Sequence, residues 1–215
     1  MAACIATGGT GATTVAATMI GAKLAGISVF ATGGIGGVHK GAEDTFDISA
    51  DLHELAQTAV TVVAAGAKAI LDLNKTFEVL ETLGVPVIAY GQDSLPAFWS
   101  STSDLPAPLR MDTAEDIAKA QVMRSMMYLQ GGQLVCNPIP KENEISADAL
   151  APVIAQALAE ADAQGINAKA VTPFLLGRIF ELTEGRSLTA NIALVRNNAR
   201  LAAAIAVEIS KLDAV

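Results

Sequence analysis

The sequence predicts an α/β fold, three layers in an α/β/α arrangement around a central sheet that is largely parallel or mixed. Three observations carry that prediction. Short apolar runs at 27–31, 61–65, 85–90 and 133–137 read as buried strands. Between them lie stretches with helical spacing, so strands and helices alternate. The 215 residues are 52% hydrophobic and only 17% charged, enough apolar matter for one sizeable core. A single domain over 1–215 is expected, with no internal repeat and no linker.

Taken in order, residues 1–5 look like the interior of an element, and a GGTG turn follows at 8–11. A helix is expected over 13–24, with Val15, Ala16, Met19, Ile20 and Leu24 on one side and Gly26 ending it. The strand at 27–31 opens into five glycines at 33–41, and 49–58 reads as a short helix. The strand at 61–65 turns at Gly66 into an expected helix over 68–83, where Leu73, Phe77 and Leu80 repeat at helical spacing. With the strand at 85–90 this makes a strand–helix–strand unit, expected to be parallel and right-handed. Residues 92–108 are loop-rich. A helix over 113–129, opened by Thr113 and Glu115, leads through Gly131 and Gly132 to the strand at 133–137. Helices are expected over 146–164, from Pro173 to Gly185, and from a Ser187 cap to 212.

The net charge of −8 and the lack of a Lys/Arg cluster exclude a nucleic-acid footprint. So few charges on so apolar a chain point to a buried oligomer interface. Cys4 and Cys136 are too few for a disulfide framework, which suggests a reducing compartment and a cytoplasmic location. No charged side chain precedes Lys23, yet that stretch is rich in Gly and Thr and lacks a basic start, so neither targeting nor membrane insertion is expected.

Most of the chemistry lies between Val29 and Lys68. The glycine loop fails the dinucleotide fingerprint, because His39 falls where the third glycine belongs, and it fails the phosphate-loop pattern as well. A tight turn is the plain explanation for its glycines, while Thr32, His39 and Lys40 beside them favour an anionic ligand such as a phosphate ester. Glu43, Asp44, Asp47 and Asp51 follow, with Asp47 and Asp51 on one face if the segment is helical. A solvated charged face is the usual explanation of such a run; an oxygen-rich site for Mg²⁺ or Mn²⁺ is the other.

Lys68 is the sharpest single residue. Most lysines are surface solvators, but one in the first turn of a helix meets the positive end of the macrodipole. With Ala67, Ala69 and Ile70 around it, both effects favour a neutral amine able to form a Schiff base. His53 reads as a helix-surface residue, and Asn191 and Asn198 share one face of the last helix.

Seven strings carry a resemblance: GATTVAATM (11–19), VFATGGIGGVHKGAEDTFDISADL (29–52), AGAKAILDL (65–73), TFEVLETLGVPV (76–87), CNPIP (136–140), TPFLL (172–176) and ANIALVRNNARLAA (190–203). Together, in order and across essentially the whole chain, they resemble the pseudouridine-5′-phosphate glycosidase, or indigoidine-synthase-A-like, family. The resemblance implies reversible cleavage of the C–C glycosidic bond of pseudouridine 5′-phosphate to uracil and ribose 5-phosphate, in an α/β/α homotrimer. It makes Lys68 the residue that forms the Schiff base. It puts one divalent ion per subunit, typically Mn²⁺, on Asp47 with waters. It places substrate contacts on Val15, Ser49, Ala50 and Asp51, with Thr32, His39 and Asn191 expected at the same site. Lys40 stands where the family commonly has arginine. Family members carry a segment ahead of GATTV with a glutamate proton donor and a phosphate-binding lysine; neither has a counterpart here, and Thr7 falls where a lysine is usual. The chain is therefore expected to lack that N-terminal segment. Two functions follow: the glycosidase itself, or an impaired remnant that binds a sugar phosphate or metal or only assembles with a full-length partner.

Overall fold

A computed structural model describes residues 1–166 and 170–212. In chain order its elements are α1 (Ala2–Ala6), α2 (Val15–Leu24), β1 (Val29–Ala31), β2 (Val38–His39), α3 (Ala42–Thr45), α4 (Ala50–Gln57), β3 (Thr61–Ala64), β4 (Leu71–Asp72), α5 (Leu73–Thr82), β5 (Val87–Tyr90), β6 (Leu109–Met111), α6 (Ala114–Met126), β7 (Gln133–Cys136), a 3₁₀ turn (Lys141–Asn143), α7 (Ala147–Ala163), α8 (Val171–Leu182) and α9 (Arg186–Leu212).

Five strands form one sheet in the order β1-β3-β7-β5-β6, and every pairing in it is parallel. The expected strand–helix–strand unit of β3, α5 and β5 is present, but β7 lies between its two strands. Side chains alternate across β3, and the two faces build separate cores. Val62 and Ala64 join Leu134, Cys136, Val87 and residues of α2, α4, α5, α7 and α8 on one side. Val63, Ile88 and Val135 meet α6 and the later part of α9 on the other. This is the three-layer arrangement read from the sequence. Burial on both faces leaves polar groups on these strands in need of partners. Thr61 therefore donates to Gln121 of α6 at 3.1 Å, and Gln133 donates to Thr61 and to the Ile117 carbonyl.

Caps set most helix starts. Thr14 accepts from Ala17 N, Ser49 from Asp51 N, Asp72 from Lys75 N and Ser146 from Ala149 N. At α6 the partner of Thr113 is Asp116, where the sequence pointed to Glu115. The last helix starts one residue before Ser187, which is buried and whose N–H donates to Thr183 Oγ1.

The largest departure is at 68–72. The expected helix does not begin at Lys68: Leu71 pairs with His39 in a small antiparallel ribbon, Asp72 caps α5, and Lys68 sits in the loop before them. The macrodipole argument for Lys68 therefore fails. Asp47 is likewise not on a helix; it lies between α3 and α4, so it shares no helix face with Asp51. No helix among the described residues is long and apolar enough to cross a membrane.

Candidate active site

Beyond Ala31 the chain continues beside β3 as irregular backbone. Thr32 N donates to the Val63 carbonyl at 3.0 Å, Ala65 N to Gly33 O at 2.9 Å, Ile35 N to Gly66 O and Lys68 N to Ile35 O. These bonds bring Thr32, Gly33 and Lys68 together past the carboxyl ends of adjacent parallel strands, where open α/β sheets bind ligands.

The glycines there serve the protein's own packing. A methyl on Gly34 would lie 2.7 Å from the Phe98 ring, one on Gly36 2.3 Å from Ser49 Oγ, and one on Gly37 2.4 Å from Thr76 Oγ1. Gly66, with φ of 84°, passes under the Pro96 carbonyl, which a methyl would approach to 2.7 Å. Close approach of backbone is what glycine permits, but the approaching group at each of these positions is another part of this chain.

The turn walls a cavity of about 630 Å³. Of the residues expected at the site, Val15, Thr32, His39, Ser49, Asp51, Lys68 and Asn191 line it. Ala50, the exposed first residue of α4, does not. Asp47 lines an adjoining cavity of about 900 Å³ that shares Thr14, His39, Ser49, Ile70 and Thr172 with the first.

Charge is sparse inside. Asp51 is the one carboxylate among the residues lining the first cavity, and it is 4% exposed. Its Oδ1 accepts from Ala16 N and its Oδ2 from Gly36 N, both at 2.8 Å. The carboxylate thus caps α2 and fixes the glycine turn. Lys68 has no ion-pair partner among the described residues. Of the other acids singled out, Glu43 is spent on Lys75 at 2.6 Å, while Asp44 and His53 are exposed.

Sequence reasoning missed the aromatic wall. Phe30, Phe98 and Trp99 all line the cavity; Phe98 holds a left-handed φ of 62° and packs edge-on to Trp99 at 4.9 Å. Trp99 is 3% exposed, and its indole N–H meets no acceptor among the described residues. The loop carrying the pair is stapled by Phe98 N to Ala65 O, Ile145 N to Trp99 O, and Glu144, which accepts from Ser101 N at 3.0 Å and from Ser101 Oγ at 2.5 Å. Only PAFW in a Ser- and Pro-rich loop after a strand hinted at it.

The Ser101 hydrogen bonds hold the Glu144 carboxyl below its ordinary pKa. A carboxylate so depressed contributes stability above its unfolded pKa, and that contribution is lost as pH falls through its folded value. Glu144→Gln is therefore expected to lower stability by about 1 kcal/mol at pH 8, the group being partly exposed, and to make little difference near pH 3, so that the acid-side loss flattens, read as urea midpoints across pH 3 to 8.

Metal ligands are few. Among the described residues no group of three His, Cys, Asp or Glu side chains gathers to hold an ion. Asp47 nonetheless fits a mostly hydrated one. Its backbone is fixed by Thr45 Oγ1 and His39 N, and its exposed carboxylate has no hydrogen bond or ion pair within the described chain.

A parallel sheet with a cavity at its carboxyl edge, a lysine in its wall that has no ion pair among the described residues, and aromatic side chains beside it make an α/β protein with a candidate active site. Residues 1–208 match the family described as indigoidine synthase A like protein, and the chain belongs to it. It is 73% identical over 206 residues to the pseudouridine-5′-phosphate glycosidase of Jannaschia sp. (strain CCS1), covering 96% of this chain and 68% of that one. To the protein of the same name from Paracoccus denitrificans (strain Pd 1222) it is 74% identical, with the same coverage. The chain thus spans about two thirds of these relatives. Among solved structures, the prealnumycin C-glycosynthase AlnA in complex with ribulose 5-phosphate superposes with a TM-score of 0.93 at 40% identity, over 99% of this chain and 70% of that one. An indigoidine synthase A-like protein from Thermotoga maritima gives 0.83 at 38%, over 91% and 64%.

Proposed function

We propose that this chain is a pseudouridine-5′-phosphate glycosidase acting through a Schiff base on Lys68. The observation that carries the reading is the unpaired Lys68 side chain in the cavity wall, beside Thr32 and Asn191. The relatives' names supply the substrate, and the AlnA complex shows that a protein of this fold binds a sugar phosphate.

In the cleavage direction Lys68 Nζ bonds C1′ as the ring oxygen departs with a proton. The C–C bond then breaks, its electron pair going to C5 of uracil, which takes up a proton. The resulting imine between C1′ and Lys68 is hydrolysed to ribose 5-phosphate and the free amine. Thr32, His39 and Asn191 orient the sugar, Val15 and Ser49 bound its pocket, and Asp51 keeps the glycine turn in place. Phe98 and Trp99 exclude water from one side. Asp47, with waters, would hold a divalent ion such as Mn²⁺, which would supply positive charge to an anionic substrate. The exposed Met126, Met127, Phe180 and Ile192 support an interface between subunits; the homotrimer of the proposal follows from the family resemblance, and its cytoplasmic location from the two cysteines.

A second reading is favoured by one observation. Asp51, the cavity's carboxylate, has both oxygens engaged by amides, so it does not serve as the acid for uracil C5. On that reading the 215 residues bind a sugar phosphate without completing the reaction.

The test is the chain with ribose 5-phosphate, Mn²⁺ and borohydride, followed by peptide mass. A reduced pentose-phosphate adduct on the Lys68 peptide is expected, and its absence from folded protein would sink the Schiff-base reading. Adding uracil in place of borohydride separates the two functions: pseudouridine 5′-phosphate appears only if the reaction is completed.

A further inference from the structure

We propose that Asn198, held by Asn137, is a positioning residue that sets the gap between α9 and the glycine turn and so places Asn191 and Thr32 at the reacting carbon; the proposal rests on the site described above.

The last helix serves both cores. Ala190 and Leu194 pack in the first, Leu201, Ala202, Ile205 and Ile209 in the second. Between them sits Asn198, with no exposed surface. A polar residue at the passage between two apolar cores costs stability unless its groups are paired, and here they are. Asn198 Nδ2 donates to Thr32 O at 2.8 Å and reaches Gly33 O at 3.4 Å, while Oδ1 accepts from Asn137 Nδ2 at 3.1 Å.

The orientation follows from the partners. Two backbone carbonyls only accept, so the atom facing them is the amide nitrogen. The oxygen then faces Asn137, which must donate. Asn137 is itself fixed just past β7, where its N–H bonds Ala64 O at 2.8 Å. The pair therefore ties α9 to the ends of β1, β3 and β7 together.

Its reach into the cavity runs along α9. Asn191 and Val195 lie two turns and one turn before Asn198, on the cavity side. They lie so close to the turn that a methyl on Gly33 would stand 3.4 Å from Asn191 Oδ1 and from Val195 Cγ2. That gap has no other polar tie: among the described residues the hydrogen bonds from α9 to the glycine turn are those of Asn198. Neither Asn198 nor Asn137 lines the cavity, so both act through the residues that do.

The experiment compares Asn198→Ala, Asn137→Ala, the double variant and Ile209→Ala, a core substitution further along the same helix, as the stability control. Two readouts are taken: the side-chain amide resonance of Asn191 without ligand, and the rate of borohydride trapping on Lys68 against ribose 5-phosphate concentration. Asn198→Ala is expected to shift the Asn191 resonance and slow trapping about tenfold or more, with half-saturating ribose 5-phosphate little changed. Asn137→Ala, which leaves the bonds to Thr32 and Gly33 possible, should move both readouts the same way by less, and it serves if Asn198→Ala does not fold. The double variant should be no worse than Asn198→Ala alone. The proposal is overturned if the Asn variants trap no more slowly than Ile209→Ala at matched thermal stability, or if the Asn191 resonance stays in place. Should the unsubstituted chain give no adduct, the Schiff-base reading falls, and the resonance comparison alone decides this proposal.

Discussion

Lys68→Ala is expected to abolish the borohydride-trapped adduct and to lower any glycosidase activity by ~10⁴-fold or more, the scale seen when a covalent nucleophile is removed. The side chain can be deleted without disturbing its surroundings. Lys68 is held by its backbone, through the bond from its N–H to Ile35 O, and its side chain makes no ion pair among the described residues. Stability should stay within about 0.5 kcal/mol of the unsubstituted chain. Lys68→Arg should be as inactive, because a guanidinium keeps the charge but stays protonated. Peptide mass mapping decides. An adduct that persists in Lys68→Ala and moves to Lys40, which lines the adjoining cavity, would assign the chemistry to the wrong lysine here.

Gly36→Ala is expected to cost roughly 3 kcal/mol or more and to remove sugar-phosphate binding with it. The added methyl would stand 2.3 Å from Ser49 Oγ, 2.7 Å from Ser49 Cβ and 2.8 Å from Asp51 Oδ2. None of these is the free end of a flexible side chain. Ser49 caps α4, and Asp51 is fixed by its bonds to Ala16 N and Gly36 N. Relief therefore requires α4 or the turn to move. Gly41→Ala makes the informative comparison: a methyl there meets nothing within 4 Å, leaving only the strain of its left-handed φ of 77°. Denaturant midpoints and ribose 5-phosphate titrations of the pair separate collision from backbone strain. Equal losses in the two would refute the steric account.

Most of the sheet was legible because its strands are buried on both faces and read as apolar runs. Thr61–Ala64, Val87–Tyr90 and Gln133–Cys136 are such strands. Edge strand β6 carries exposed Leu109 and Arg110, and the β2–β4 ribbon has two residues a side, so neither leaves a pattern. Helical spacing from Leu73 onward was sound, but carrying it back to Lys68 ignored Asp72, the capping residue inside the run. The candidate site was legible where residue type alone suggests chemistry, as with Lys68, His39 and Thr32; Asn191 was reached only through the family resemblance. What stayed hidden depends on contacts across long stretches of chain. The Phe98 ring fills the space that Gly34 leaves, and Asn198 reaches Thr32. The glycines advertised a ligand, yet their neighbours are Phe98, Ser49, Thr76 and Pro96.

Asp51 has a consequence for how the folded chain opens. Its two oxygens hold amides twenty positions apart in sequence, Ala16 at the head of α2 and Gly36 in the turn, and it belongs to a third segment, α4. One rotation of one side chain releases both. The start of α2, the glycine turn and α4 are therefore coupled through one side chain, and their amides are expected to exchange through a shared opening. On that expectation the pocket's floor and one wall are lost together, not piecemeal.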